Sequence, residues 1–291
     1  MTEQTAILEP ATSGEISQPV DATLARHGVL ACAFGLLTGS AAGLIGVGGG
    51  EFRMPLLIYL FRNHVKTAAG VNLVVGLFTV CLSLVRRWGQ HDWSGEDIVV
   101  TVAFAVPSLF GAVLGVRQAH RLSYPILRKV VCGYLLVVGV WMIFEGVSYS
   151  EYIIWNPSGL PRLLLAACLG FLIAAISGAL GVAGGEMRIP VLLYLFAVPI
   201  KVAGTLSLIV SIPTVAAGAV TYRRFGHVPN HVLLVAVLMG LGSLAGVFLG
   251  TSLLPHVDKH TLKAVLGILL LLATVGVAVP LFRGGAHSRS A

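Results

Sequence analysis

Residues 43–61 read GLIGVGGGEFRMPLLIYLF, and residues 178–196 read GALGVAGGEMRIPVLLYLF. The two stretches lie 135 residues apart and agree at 11 of 16 positions between Gly46 and Phe61. The shared pairs include Gly46/Gly181, Gly49/Gly184, Gly50/Gly185, Glu51/Glu186, Arg53/Arg188, Pro55/Pro190 and Tyr59/Tyr194. Each copy sets a glycine-rich break, a Glu-x-Arg pair and a proline inside strongly apolar sequence. Matching Gly/Pro-interrupted segments in two halves of a membrane protein point to a substrate site near the bilayer midplane.

Composition supports a bilayer environment. Apolar residues make up 56% of the 291, charged residues 11%, and mean hydropathy is +0.91. A soluble core does not hide that much apolar surface, so lipid must cover much of it. The net charge of +7 argues weakly for nucleic acid, because the basic residues punctuate apolar runs. Short cationic loops of that kind anchor a chain at the membrane surface. Cys32, Cys81, Cys132 and Cys168 each stand alone in an apolar run, with no CxxC, and read as small buried hydrophobes.

A spanning helix needs about 20 apolar residues. Eight stretches qualify: roughly 27–46, 66–85, 97–116, 127–147, 161–182, 199–221, 230–250 and 262–282. Two shorter apolar pieces, 52–61 and 187–196, follow the glycine runs. At 1.5 Å per residue such pieces cover about half the hydrocarbon thickness, as re-entrant or broken helices would. The expected architecture is an all-α polytopic membrane protein with about eight transmembrane helices in two homologous halves. Its expected parts are a polar tail at 1–26, a first repeat at 27–147, a linker at 148–160, a second repeat at 161–282 and a C-terminal tail at 283–291. The tail lacks the basic start and apolar core of a cleavable signal, so the first helix is expected to act as an uncleaved anchor. Four full crossings per half would leave the repeats parallel and five would invert them; the Lys/Arg distribution does not orient the chain.

Gly46, Gly48, Gly49 and Gly50 disfavour helix, each by about 1 kcal/mol relative to alanine. Unwound backbone is tolerated at membrane depth only when buried in protein or lining a wet cavity. Its freed N–H groups, with the N-terminus of a half-helix expected to start near Phe52 and Met187, form a positive cradle for anions. Pro55 and Pro190 then fall in a first helical turn, where proline is tolerated. Glycine also permits close helix approach, and Gly35, Gly39 and Gly43 follow the small-xxx-small spacing of that alternative. No Gly-Lys-Ser/Thr follows either run, which sets aside a P-loop.

Charges at membrane depth mark a site or a pathway. Arg53 and Arg188 suit forked recognition of an oxyanion, and Glu51 and Glu186 suit a coupled proton or a neutralising partner. The competing reading is a pair of structural salt bridges that fix the breaks. The candidate binding set is Gly48, Gly49, Gly50, Glu51, Arg53 and Asn72 in the first half. In the second half it is Ala183, Gly184, Gly185, Glu186, Arg188 and Ser207. Thr38, Ser40, Ser177, Thr205, Ser211 and Thr214 flank the breaks, where hydroxyls either line a cavity or back-bond to carbonyls. Arg86, Arg87 and Trp88, with Arg223, Arg224 and Phe225, read as interfacial anchors. His64, His91, His227 and His231 fall at loop ends without metal spacing, so neither metal nor cofactor is expected.

Both copies resemble the signature of the sulfite exporter TauE/SafE family, a GxGGG segment followed by proline in each of two homologous halves. Here it stands as Gly46 to Gly50 with Pro55, and as Gly181 to Gly185 with Pro190. The resemblance covers about residues 27–282 and implies a secondary transporter of small anions, sulfite or organosulfonates, in the bacterial inner membrane. Two features depart from the signature: Ala183 stands where glycine is typical, and Glu and Arg occupy a spacer that is usually apolar.

The functional expectation is a secondary transporter for small sulfur-containing or organic anions, coupled to protons or Na+ and working by alternating access. Its partners are the anion, the lipid bilayer and, compatibly with the sequence, a second copy in a homodimer. A passive anion channel is the alternative. An intramembrane enzyme fits poorly: Ser177-Gly178 completes no Gly-x-Ser-Gly motif, since Ala175 holds the first position, and no histidine stands nearby in the membrane as its base.

Overall fold

The computed structural model describes residues 20–60, 65–90, 94–119, 124–148, 158–228 and 233–283. Among these, ten α-helices follow one another: α1 Val20–Ile45, α2 Gly50–Leu60, α3 Val65–Arg87, α4 Gly95–Gln118, α5 Tyr124–Ser148, α6 Gly159–Leu180, α7 Gly185–Phe196, α8 Ile200–Arg224, α9 Leu233–Leu253 and α10 Lys259–Arg283. Six of them (α1, α3, α4, α6, α8 and α9) contain stretches long and apolar enough to cross a membrane. The helices α5 and α10 have 25 residues each. Over the described residues, each apolar stretch expected from the sequence overlaps one long helix, and the two short pieces overlap α2 and α7. Helix α1 starts at Val20, ahead of the expected boundary at 27. Most of the expected tails and linker lies outside the described residues.

The two breaks form where glycine alone satisfies the backbone. Gly46 and Gly49 take φ values of 93° and 65°, and their counterparts Gly181 and Gly184 both take 74°. These are left-handed conformations that side chains resist. At the end of α6, Gly181 N–H bonds Gly178 O at 3.2 Å and Val182 N–H bonds Ser177 O at 2.9 Å. That is a Schellman stop, which satisfies carbonyls the helix would leave open. The half-helices start at Gly50 and Gly185, two residues before the expected Phe52 and Met187. Pro190 therefore sits inside α7 and not in its first turn, and it has no N–H to give the Glu186 carbonyl.

Glycine also builds the seams. Helix α1 packs along α9, α4 along α6 and α5 along α10. A methyl group on Gly35 or Gly39 would overlap the backbone of Met239 or Ser243, and one on Gly43 would lie 2.7 Å from Val247 O. From the other side, Gly242, Gly246 and Gly250 press on Cys32, Leu36 and Ser40. Small residues thus let two backbones meet, as van der Waals packing in lipid favours. The numbering rises together along the α1–α9 and α4–α6 seams, so those pairs are parallel. It runs in opposite senses along α3–α8, where Gly70 meets Tyr222 and Gly204 meets Arg87. The α5–α10 seam is likewise antiparallel, with Gly139 against Gly267 and Gly146 against His260 and Ala264.

Large apolar side chains such as Leu37, Phe110, Phe144, Leu241 and Phe248 point outward, the positions lipid would cover. The cysteines do not match the expectation of burial. Cys32 and Cys168 are exposed and Cys81 and Cys132 half-buried, because the seams reserve their interior faces for glycine, alanine and serine. Widening the α1–α9 seam tests its closeness. Gly39→Val is expected to cost at least about 1–3 kcal/mol as overpacking, read as a lower melting temperature of detergent-purified protein, whereas Cys168→Val should leave that temperature unchanged.

Candidate functional site

The two glycine breaks meet each other. A methyl group on Gly48 would overlap the Ala183 methyl, Gly50 lies against Val182, and Gly185 lies against Val47 and Ser207. Asn72, buried on α3, joins them: its Nδ2 donates to Gly50 O at 3.1 Å and to Gly181 O at 2.8 Å. Unwound backbone from both copies is thus satisfied by one side chain.

The contact also accounts for the Ala183 departure. Gly49 and Gly184 take positive φ, as do Gly46 and Gly181, but neither Gly48 nor Ala183 does. Alanine is therefore conformationally acceptable at that position, and its methyl fills the space that Gly48 leaves open.

Arg53 and Arg188 are each fully buried, at 0% exposure. Arg53 is enclosed by acceptors. Its Nε donates to Asn72 Oδ1 at 3.1 Å, Nη1 to Thr79 Oγ1 at 3.0 Å and Ser243 Oγ at 3.4 Å, and Nη2 to Gly48 O. Arg188 is held on one side only. Its Nη1 donates to Ser207 O at 3.0 Å and Ser211 Oγ at 2.9 Å, while Nε and Nη2 have no partner. Glu186, in the first turn of α7 and 1% exposed, has no hydrogen-bond partner at either carboxyl oxygen. Its charged neighbour on the same half-helix is Arg188. The side chain of Glu51 lies outside the described residues.

Of the flanking hydroxyls, Thr38, Ser40, Ser177, Thr205 and Thr214 donate to carbonyls of their own helices. Among the second-half hydroxyls, Ser207 and Ser211 contact a buried charge. No group of three or more His, Cys, Asp or Glu side chains able to hold a metal occurs among the described residues. The arrangement can receive an anion: a buried cation with unpartnered donors stands in the first turns of a half-helix.

The family model described as sulfite exporter TauE/SafE matches residues 31–277. The chain belongs to this family. Among its relatives, the probable membrane transporter protein YdhB of Bacillus subtilis is 27% identical over 242 residues, which is 81% of this chain and 96% of that protein. A probable membrane transporter protein of Xylella fastidiosa strain 9a5c is 25% identical over 248 residues, 84% of this chain and 92% of its own. One of Methanocaldococcus jannaschii is 25% identical over 256 residues, 81% and 91% of the two chains. No solved structure matches the chain.

Several buried polar residues of this family member escape a reading of the sequence. Arg87 is not an interfacial anchor: it is fully buried, while Arg86 beside it is exposed. Its Nη2 donates to Lys201 O at 2.9 Å, and its guanidinium lies between Gly46 and Gly204. Asn72, Thr79, Ser83 and Arg87 recur at helical spacing along one face of α3, and that periodicity was the available signal. A second set joins three helices. Lys263 Nζ lies 2.8 Å from Glu145 Oε1, and Tyr194 O–H donates to Glu145 Oε2 at 2.6 Å. This ties the far end of α7 to α5 and α10.

The apposed breaks generate a paired test. Gly48→Ala is expected to destabilise by about 1–3 kcal/mol through methyl overlap, and adding Ala183→Gly should restore most of the loss. Equal melting temperatures for the single and double variants would show that the two positions are not coupled.

Proposed function

We propose that this protein is a secondary transporter that carries small oxyanions across the cell (inner) membrane by alternating access, with protons as the coupling ion. One observation carries the reading: two unwound breaks, each followed by a half-helix with a buried arginine, meet inside the protein. Broken helices whose N-termini face a central site are how secondary transporters hold anionic groups.

The helix directions support an inverted repeat. On this reading α1 to α5 correspond to α6 to α10. Counterparts α3 and α8 run antiparallel, as do α5 and α10, and the α1–α9 seam is mirrored by α4–α6. A two-fold axis in the membrane plane relates helices in that way. Helices α1 and α2 then form a hairpin that enters and returns on one face, leaving three crossings in each half. Neither four nor five full crossings is needed to invert the second half. Exchange of access proceeds by rocking one set of helices against the other around the joined breaks.

Glu186 supplies the coupling. It is a buried carboxyl on the same half-helix as Arg188, so a proton taken up there travels with an anion held by Arg188.

In proteoliposomes the wild-type protein should show saturable sulfite flux and accumulate sulfite against its gradient when a pH gradient is imposed. Flux that never exceeds equilibration would favour the channel reading instead. Glu186→Gln is expected to preserve sulfite exchange but to lose the stimulation by the pH gradient; unchanged stimulation would sink the proton-coupling role.

A further inference from the structure

The two arginines at matching positions are not equivalent, and the difference lies in one edge of the guanidinium. Nε–H and the adjacent Nη2–H point the same way and form the fork that grips two oxygens of one carboxylate, phosphate or sulfur oxyanion. At Arg53 the protein fills that fork itself: Asn72 Oδ1 sits on Nε and Gly48 O on Nη2. At Arg188 the same two nitrogens are buried and without a partner.

The sequence accounts for the difference. At the 135-residue offset the counterpart of Asn72 is Ser207, whose shorter side chain reaches only Nη1, at 3.5 Å. The counterpart of Gly48 is Ala183, whose carbonyl makes no bond to Nη2. The counterpart of Ser243 is Ser108, which spends its hydroxyl on Gly170 O at 2.9 Å. Three acceptors present around Arg53 are therefore missing around Arg188. Arg87 differs again. Its unpartnered nitrogens are Nε and Nη1, which do not share an edge, so it offers no fork.

We propose that the Nε/Nη2 edge of Arg188 is the receptor for the transported oxyanion, whose two oxygens take the places that Asn72 Oδ1 and Gly48 O hold at Arg53. Arg53 is then a strut, permanently self-liganded, and the two breaks divide the labour: the first holds the structure and the second holds the solute. The inference rests on the transporter reading and specifies its site. It requires an anion with two oxygens on one centre, such as sulfite, a sulfonate or a carboxylate. Chloride, a single atom, cannot span the fork. Unpaired N–H groups on a buried cation carry a standing cost that such an oxyanion removes. Arg188 is fully enclosed here, so this conformation is an occluded one, and the solute reaches the fork when the two breaks separate.

The decisive experiment measures thermal stabilisation of detergent-purified protein by sodium sulfite, methanesulfonate and acetate, with sodium chloride at matched ionic strength as control. The wild type should be stabilised by at least one oxyanion beyond chloride. Arg188→Lys keeps the charge and loses the fork, so the apparent Kd should rise about tenfold or more, equivalent to the loss of one charge-assisted hydrogen bond. Arg53→Lys should lower the ligand-free melting temperature and leave the apparent Kd within about twofold of wild type. Ser207→Asn should supply the missing carboxamide, abolishing the oxyanion shift without lowering the ligand-free melting temperature. Wild-type affinity in Arg188→Lys, an equal loss in folded Arg53→Lys, or no oxyanion shift in the wild type would each overturn the assignment. Flux separates this from the wider reading. Arg188-dependent binding without sulfite flux would remove the transporter and keep the site, whereas undiminished flux in Arg188→Lys would remove the site and keep the transporter.

Discussion

Backbone that leaves a helix inside a membrane must find its hydrogen bonds within the protein, since hydrocarbon offers none. Here that requirement falls on Asn72. Its amide donates to a carbonyl in each break and its carbonyl accepts from Arg53. One side chain therefore satisfies two unwound segments and a buried cation together. Everything that brings these groups within reach serves that arrangement. The left-handed glycines turn the chain, and the glycine seams draw α9 close enough for Ser243 to reach Arg53.

Buried charge is distributed unevenly around this centre. Glu145 and Lys263 pair with one another and take a third partner in Tyr194, so that each oxygen of the buried carboxylate accepts a hydrogen bond. Arg53 is held by Asn72, Thr79, Ser243 and the Gly48 carbonyl. Arg188 and Glu186 lack such a set of partners, although they stand on the same half-helix. Arg87, fully buried with Nε and Nη1 unpartnered, is a further incomplete cation, so the polar cost falls at two places, the start of α7 and the end of α3.

Much of this organisation is legible in the sequence. The 135-residue offset locates both breaks, the apolar runs locate the long helices, and the Gly35-Gly39-Gly43 spacing identifies a seam. The unread parts share a physical cause. A residue at the end of an apolar run can point to solvent or back into the protein, and composition does not distinguish the two. Arg87 turns inward where Arg86 does not, and Glu145 and Lys263, at the ends of their stretches, find each other across α5 and α10. The cysteines err in the opposite direction, because in lipid an apolar residue gains little from facing inward. The contrast between Arg53 and Arg188 is invisible in an identical Glu-x-Arg motif. It depends on residues far along the chain, at Asn72, Ser207, Ser108 and Ser243.

The meeting of Gly48 with Ala183 bears on how two matching glycine-rich segments fit face to face. Two identical segments would place either two hydrogens or two methyl groups at their shared contact, leaving a gap in the first case and a collision in the second. One of each closes it. The two segments are thereby complementary and not interchangeable: alanine at both positions would set methyl against methyl where the breaks touch.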